Sequence, residues 1–143
     1  MNRERATRLL SLHEGRRNTI YKDSLGYWTV GVGHLIDPSK GGTLPEAIID
    51  ALLQYDMTEK YEELVKTLPW VRDLDEVRQY VLLDMAFNLG VNGLLGFKNT
   101  LKMVQGRDYA GAAKNMLLSR WATQVGTRAK RLSVMMESGS WPA

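Results

Sequence analysis

From Val77 to Leu89 the chain reads as a helix without a wet side. Val77, Val81, Leu82, Met85, Ala86 and Leu89 are apolar nearly all round the helical wheel, and a helix of that kind has to be enclosed by other elements. Asp73 or Asp75 stands where its N-cap is needed. With 143 residues and 44% hydrophobic content, the chain can build one compact core, or two small lobes sharing a helix. It has no cysteine, so packing holds that core, without disulfides or thiolate metal sites.

The elements around this helix follow from periodicity and punctuation. Ala6, Leu9 and Leu10 fall at helical spacing, with Asn2, Arg5 and Arg8 largely on the other side, and Gly15 supplies the stop. Thr19, Ile20 and Tyr21, the turn-prone Lys22 to Gly26, and then Tyr27 to Gly33 predict a hairpin or small sheet. Pro38 to Gly42 reads as a loop. A long helix is expected from Thr43, where Thr43 and Glu46 have capping-box spacing, onward to Pro69. Later helices are expected over Lys98–Val104, Asp108–Leu118 and Thr127–Glu137.

The fold class is therefore α+β and predominantly helical, in a single domain spanning 1–143. A small N-terminal lobe with a β-hairpin or sheet covers about 14–42, a linking helix about 43–66, and a helical lobe about 70–143 together with the 1–13 helix.

Charge narrows the partners. From Lys98 onward there are eight Lys or Arg and two acids, net +6, whereas residues 1–97 carry eleven bases and fourteen acids, net −3. Such asymmetry can draw an anionic polymer onto one face. The bases are spread over at least three helices with little aromatic interleaving, a poor match to a nucleic-acid reader. No apolar run approaches the ~18 residues of a membrane span, and Met1 to Arg8 does not read as a signal peptide. The two histidines, His13 and His34, lack companion ligands at metal-binding spacing. No metal, no cofactor and no stable membrane association are expected. His34 reads either as the partner of Asp50 or Asp56 in an ion pair, or as a semi-buried histidine bonded to backbone. Met85, Met103, Met116, Met135 and Met136 read as flexible core filling.

Two carboxylates carry the candidate chemistry. Glu14 follows Leu10 by four residues and Ala6 by eight, which predicts that it projects from the face of the first helix that is buried. Burial and a helix C-terminus both favour a protonated carboxyl, the state a general acid needs. Asp23 sits in the hairpin turn, polar and partly exposed, where it stays ionised, and contrasting environments divide two carboxyls into acid and base. Thr29 shares a strand face with Tyr27, Gly31 and Gly33, and its hydroxyl is placed to orient a water beside Asp23. Each also has a plain reading: a solvated helix-end acid, a turn aspartate and an ordinary strand threonine.

Glu14-Gly15, Tyr21-Lys22-Asp23 and the run Gly26-Tyr27-Trp28-Thr29-Val30-Gly31-Val32-Gly33-His34 resemble the phage-type lysozymes, glycoside hydrolase family 24, in their T-even branch. The resemblance continues in Met85-Ala86-Phe87-Asn88-Leu89-Gly90, Gly96-Phe97-Lys98-Asn99-Thr100-Leu101, Ser119-Arg120-Trp121 and Arg128-Ala129-Lys130-Arg131, and so covers nearly the whole chain. It implies a lysozyme hydrolysing the β-1,4 bond between N-acetylmuramic acid and N-acetylglucosamine of bacterial peptidoglycan. Glu14 is implied as general acid, with Asp23 and Thr29 handling the attacking water. Members of this branch invert, a geometry that holds the carboxyls roughly 6.5–9.5 Å apart. By positional matching Leu35, Phe87, Thr100 and Asn115 are implied as glycan contacts, and Asn88, Trp121 and Arg128 as cleft-lining residues.

The sequence departs from that pattern in three places. The stretch from Leu35 to Thr43 is shorter, Leu25 replaces an acid that pairs with the residue at Arg120, and Asn88 replaces a longer amide. A lytic transglycosylase would leave Asp23 and Thr29 without purpose, and a non-enzymatic wall-binding module is the remaining alternative. The resemblance further implies a monomeric endolysin, made in the host cytoplasm and dependent on a separate holin-type pore to reach the wall. A role carried in the virion fits the same residues.

Overall fold

The computed structural model describes residues 1–142. Its internal contacts divide the chain into two compact units, Met1–Leu52 and Leu53 onward.

The first unit opens with α1 (Arg3–Glu14). Asn2 caps it by accepting from the Arg5 N–H, and Gly15, at φ 77°, ends it with an N–H on the Ser11 carbonyl. Only glycine holds that left-handed backbone without a Cβ penalty. A three-stranded antiparallel sheet follows in the order β1 (Arg17–Lys22), β2 (Trp28–Gly31), β3 (His34–Leu35). Thr29 lies on the central strand, paired with Tyr21 on one side and Leu35 on the other. The ladder is irregular between Arg17 and Tyr21. Of the expected hairpin or small sheet, the structure forms the sheet.

Residues 38–42, expected as loop, contain a 3₁₀ turn at Pro38–Lys40 closed by Gly41 in the left-handed conformation. The helix expected from Thr43 begins three residues later: α2 runs from Glu46 to Thr67. Pro45 accounts for the difference, since it biases Leu44 away from helical backbone, and the first helical N–H groups, of Ile48 and Ile49, turn to the Pro45 carbonyl. α2 continues from the first unit into the second.

In the second unit a 3₁₀ turn at Pro69–Asp73 leads to α3 (Glu76–Leu95), capped by Asp75, whose carboxylate accepts from the Arg78 N–H. Gly90 breaks α3 with φ 75° and ψ 159°. The remaining helices are α4 (Lys98–Gln105), α5 (Tyr109–Leu117), α6 (Arg120–Val125) and α7 (Thr127–Ser138). The short α6 was not expected. It is started by Ser119, whose hydroxyl accepts from the Ala122 N–H, and stopped by Gly126.

The core lies in this unit. Val77, Val81, Leu82, Met85 and Ala86 of α3 are buried among Val104, Ala112, Met116, Leu132 and Met136, so these apolar positions are enclosed as expected, whereas Leu89 is only partly buried and the side bearing Glu76 and Phe87 stays exposed. Met85, Met116, Met135 and Met136 are buried core residues and Met103 packs against them, as expected for flexible filling.

Candidate active site

The three candidate catalytic residues all lie in the first unit. Glu14 is the last residue of α1. Its side chain lies against Gly33, where an added Cβ would stand 3.0 Å from Oε2 and 3.2 Å from Cδ. Gly33 also has φ 68°, so the backbone conformation and the carboxyl together call for glycine. The expectation that Glu14 shares a buried helix face is corrected. α1 has no buried residue, Leu10 is 56% exposed and Glu14 itself is exposed. Periodicity identified the apolar side of the helix, but Leu9 and Leu10 on that side are both more than half exposed.

Asp23 opens the turn between β1 and β2. Its Oδ1 accepts from the N–H groups of Leu25 and Tyr27, each at 2.9 Å, while its own N–H donates to the Tyr27 carbonyl at 2.9 Å. An aspartate that folds back on the N–H two residues ahead is a standard turn device. Here it has a further effect: one carboxylate oxygen is committed to backbone, and Oδ2 has no partner among the described residues.

Thr29 meets this turn through the same peptide. Its hydroxyl donates to the Tyr27 carbonyl at 3.0 Å, and the residue is 3% exposed. That carbonyl therefore receives both the Asp23 N–H and the Thr29 O–H. With its proton so directed, the threonine oxygen keeps its lone pairs for a donor such as water.

Sequence reasoning missed Asp37, which fixes the first residue of β2, Trp28, beside the Tyr27 peptide. Its Oδ2 accepts from the Trp28 N–H at 3.0 Å, and its Oδ1 accepts from the N–H and the hydroxyl of Ser39. The Ser39 hydroxyl, then the Trp28 N–H, hold its carboxyl below the ordinary aspartate range. Asp37-Pro38-Ser39 is a turn-initiating string, and that was the available signal. Leu35, partly buried on β3, pairs with Thr29. His34 makes the expected backbone contact, its Nε2 lying 2.9 Å from the Thr43 carbonyl, but it is exposed and not semi-buried, because it stands on the edge strand β3. No ion pair with Asp50 or Asp56 occurs among the described residues.

The other candidate residues belong to the second unit, in three groups. Thr100 is fully buried and donates to Asn115 Oδ1 at 2.7 Å. Thr100, implied by the resemblance as a glycan contact, therefore lies beneath the surface with its hydroxyl spent on Asn115. Trp121, 4% exposed, donates from Nε1 to Asn88 Oδ1 at 2.7 Å and meets Phe97 edge-on at 5.9 Å. An open depression of about 680 Å³ brings Asn115 and Trp121 together with Asn99, Ser119 and Arg120.

Arg128 anchors the third group. Its Nε and Nη2 grip Asp84 Oδ1 at 2.8 and 2.7 Å, while Tyr80 donates to Asp84 Oδ2 at 2.9 Å. Burial, then the hydrogen bond to Asp84, raises the Tyr80 phenol above its ordinary range. A smaller cavity of about 250 Å³ joins Arg128 to the exposed Phe87, with Leu53, Met57 and Leu83 as its apolar lining. Asp84 and Tyr80 were also missed, since nothing local in the sequence pairs residues 44 positions apart.

Residues 11–135, spanning α1 to α7, match the family described as phage lysozyme. The chain belongs to the phage lysozyme family. Among the relatives of this chain, "Probable T4-type lysozyme 1" of Dictyostelium discoideum is 30% identical over 158 residues, covering 92% of this chain and 93% of that protein. "Probable T4-type lysozyme 2" of the same organism is 28% identical with the same coverage. The "Pre-baseplate central spike protein Gp5" of Enterobacteria phage T4 is 26% identical over 157 residues, again 92% of this chain but 27% of the larger protein. The chain is therefore a glycosidase of lysozyme type.

Proposed function

We propose that this phage lysozyme is a muramidase that hydrolyses the β-1,4 bond between N-acetylmuramic acid and N-acetylglucosamine with inversion. The observation that carries this reading is the Tyr27 peptide shared by Asp23 and Thr29. It ties a carboxylate with one uncommitted oxygen to a hydroxyl with uncommitted lone pairs. A water donating one proton to Asp23 Oδ2 and the other to Thr29 Oγ1 keeps a lone pair for the anomeric carbon. As the C–O bond to the leaving sugar breaks, Glu14 protonates the departing oxygen and Asp23 accepts the proton of the attacking water. The products are a reducing muramic end and a free 4-hydroxyl, and no covalent sugar adduct forms.

In this reading Leu35, Phe87 and Asn115 contact glycan. Thr100 holds Asn115, Asn88 and Trp121 support one another, and Arg128 offers a cation to the strand. The enzyme acts as a monomeric endolysin, made in the host cytoplasm and admitted to the wall by a separate holin-type pore.

Glu14→Gln tests the acid: wall clearing is abolished in a variant whose circular dichroism and Tm match the parent, and undiminished clearing by that folded variant overturns the assignment. Mass spectrometry of digested peptidoglycan tests the reaction, because reducing muramic ends mark hydrolysis whereas anhydro ends mark a transglycosylase. Proton NMR of the first-formed anomer tests inversion.

A further inference from the structure

Glu76, Tyr80 and Asp84 recur at every fourth residue and form one stripe along α3. Each is engaged by a residue distant in the chain. Trp141, close to the C-terminus, donates from Nε1 to Glu76 Oε1 at 3.0 Å and packs its ring on Tyr80 at 5.1 Å with a 54° tilt. Tyr80 then donates to Asp84, and Asp84 receives Arg128. Phe87 follows Asp84 by three residues, on the same side, at the cavity Arg128 lines.

The Asp84 carboxylate is fully employed. Oδ1 takes Nε and Nη2 of Arg128, Oδ2 takes the Tyr80 hydroxyl, and the Asp84 carbonyl takes a longer contact from Nη2 at 3.4 Å. A guanidinium gripped along one edge cannot swing freely, and its orientation is set by its acceptor. Nη1 is the nitrogen that makes no hydrogen bond among the described residues. The Asp84 side chain is 14% exposed and that of Arg128 41% exposed. The pair is therefore held on its inner side and open on its outer one.

We propose that Trp141, Tyr80 and Asp84 are positioning residues that fix Arg128 with Nη1 presented to the wall glycan, making the C-terminal segment a strap that tunes substrate binding. The inference rests on the reading of Arg128 as a glycan-facing residue. The raised phenol of Tyr80 agrees with it, since the hydroxyl stays a donor to Asp84 through the neutral range.

Tyr80→Phe removes one hydroxyl and keeps the ring, and Trp141→Phe keeps a ring but loses the indole N–H. With soluble, uncrosslinked glycan strands as substrate, each variant is expected to raise KM about fivefold while kcat stays within about twofold. Tm serves as the folding control. The unliganded protein supplies a second readout: the Arg128 Nε–H NMR signal, sharp and downfield in the parent, is expected to broaden or move upfield in Tyr80→Phe. Unchanged KM together with an unchanged Arg128 signal in a folded Tyr80→Phe overturns the strap, as does a loss confined to kcat. If the parent protein cleaves no glycan, the muramidase reading fails, and the Arg128 signal alone decides whether the strap holds the guanidinium.

Discussion

Glu14 lays its carboxyl group over Gly33, so closely that a methyl group on that glycine would stand 3.0 Å from Oε2. The acid at the end of α1 and the glycine between β2 and β3 are thus one structural unit. Gly33→Ala adds the methyl group and also forces a side chain onto φ 68°, a conformation costing about 1–2 kcal/mol outside glycine. The variant is expected to lose about tenfold or more in kcat, the scale of a displaced reacting group, with Tm lowered by a few degrees. Turnover of labelled wall, beside a thermal melt, measures both.

Thr29 and Asp23 share the Tyr27 carbonyl, so the hydroxyl and the turn are expected to fail together. Thr29→Val removes the hydroxyl that orients the water and is expected to cut kcat about a hundredfold, the scale of a misplaced reactant. Thr29→Ser restores the hydroxyl and is expected to recover most of that loss. Single-turnover rates on soluble glycan strands separate the two.

Asp37 should dominate the acid response of the sheet unit. Its carboxyl is held below the ordinary value by Ser39 and the Trp28 N–H, so its contribution to stability is fully present above the unfolded aspartate pKa of about 3.9. That contribution fades as pH falls through the lower folded value. Asp37→Asn is expected to be less stable than the parent at neutral pH, with the difference shrinking below about pH 4. Tm measured in steps from pH 7 to pH 2 checks the sign.

Thr100 is buried, and among the described residues its hydroxyl is satisfied by Asn115. Thr100→Val leaves Asn115 without its donor, and is expected to cost about 1–3 kcal/mol in stability. The loss should also appear as a higher KM, since Asn115 lines the open depression. Urea denaturation and steady-state kinetics give the two numbers.

Basic charge concentrated beyond Lys98 predicts wall clearing that falls as salt rises and the Debye length shrinks from about 10 Å at 0.1 M. Turbidity assays across a sodium chloride series test this, and a flat response removes electrostatic attraction from the account.

Much of this molecule is legible in short stretches of sequence. Gly15 ends α1, Asp75 starts α3, Gly26 allows the turn, and the all-round apolar surface of Val77 to Ala86 announces the core. These features depend on backbone preference, capping and periodicity, which act over a few residues and are carried by the residues themselves. The spacing of Glu14, Asp23 and Thr29 is equally local, and all three fall in one small unit. Burial and distant pairing were decided elsewhere. Leu10 marks the apolar side of α1 yet stands exposed, Thr100 looks like a surface threonine yet is sealed, and Arg128 looks solvated yet grips Asp84. A residue type states what contact would satisfy it, but only the packing of elements far apart in the chain decides which partner arrives. That is why the sequence by itself determined most of the helices, the turn and the candidate reacting groups, whereas the tertiary structure alone decided that the Glu14 carboxyl lies on Gly33, that the Tyr27 peptide joins Asp23 to Thr29, and that Trp141 packs on Tyr80 while Asp84 of the same helix holds Arg128.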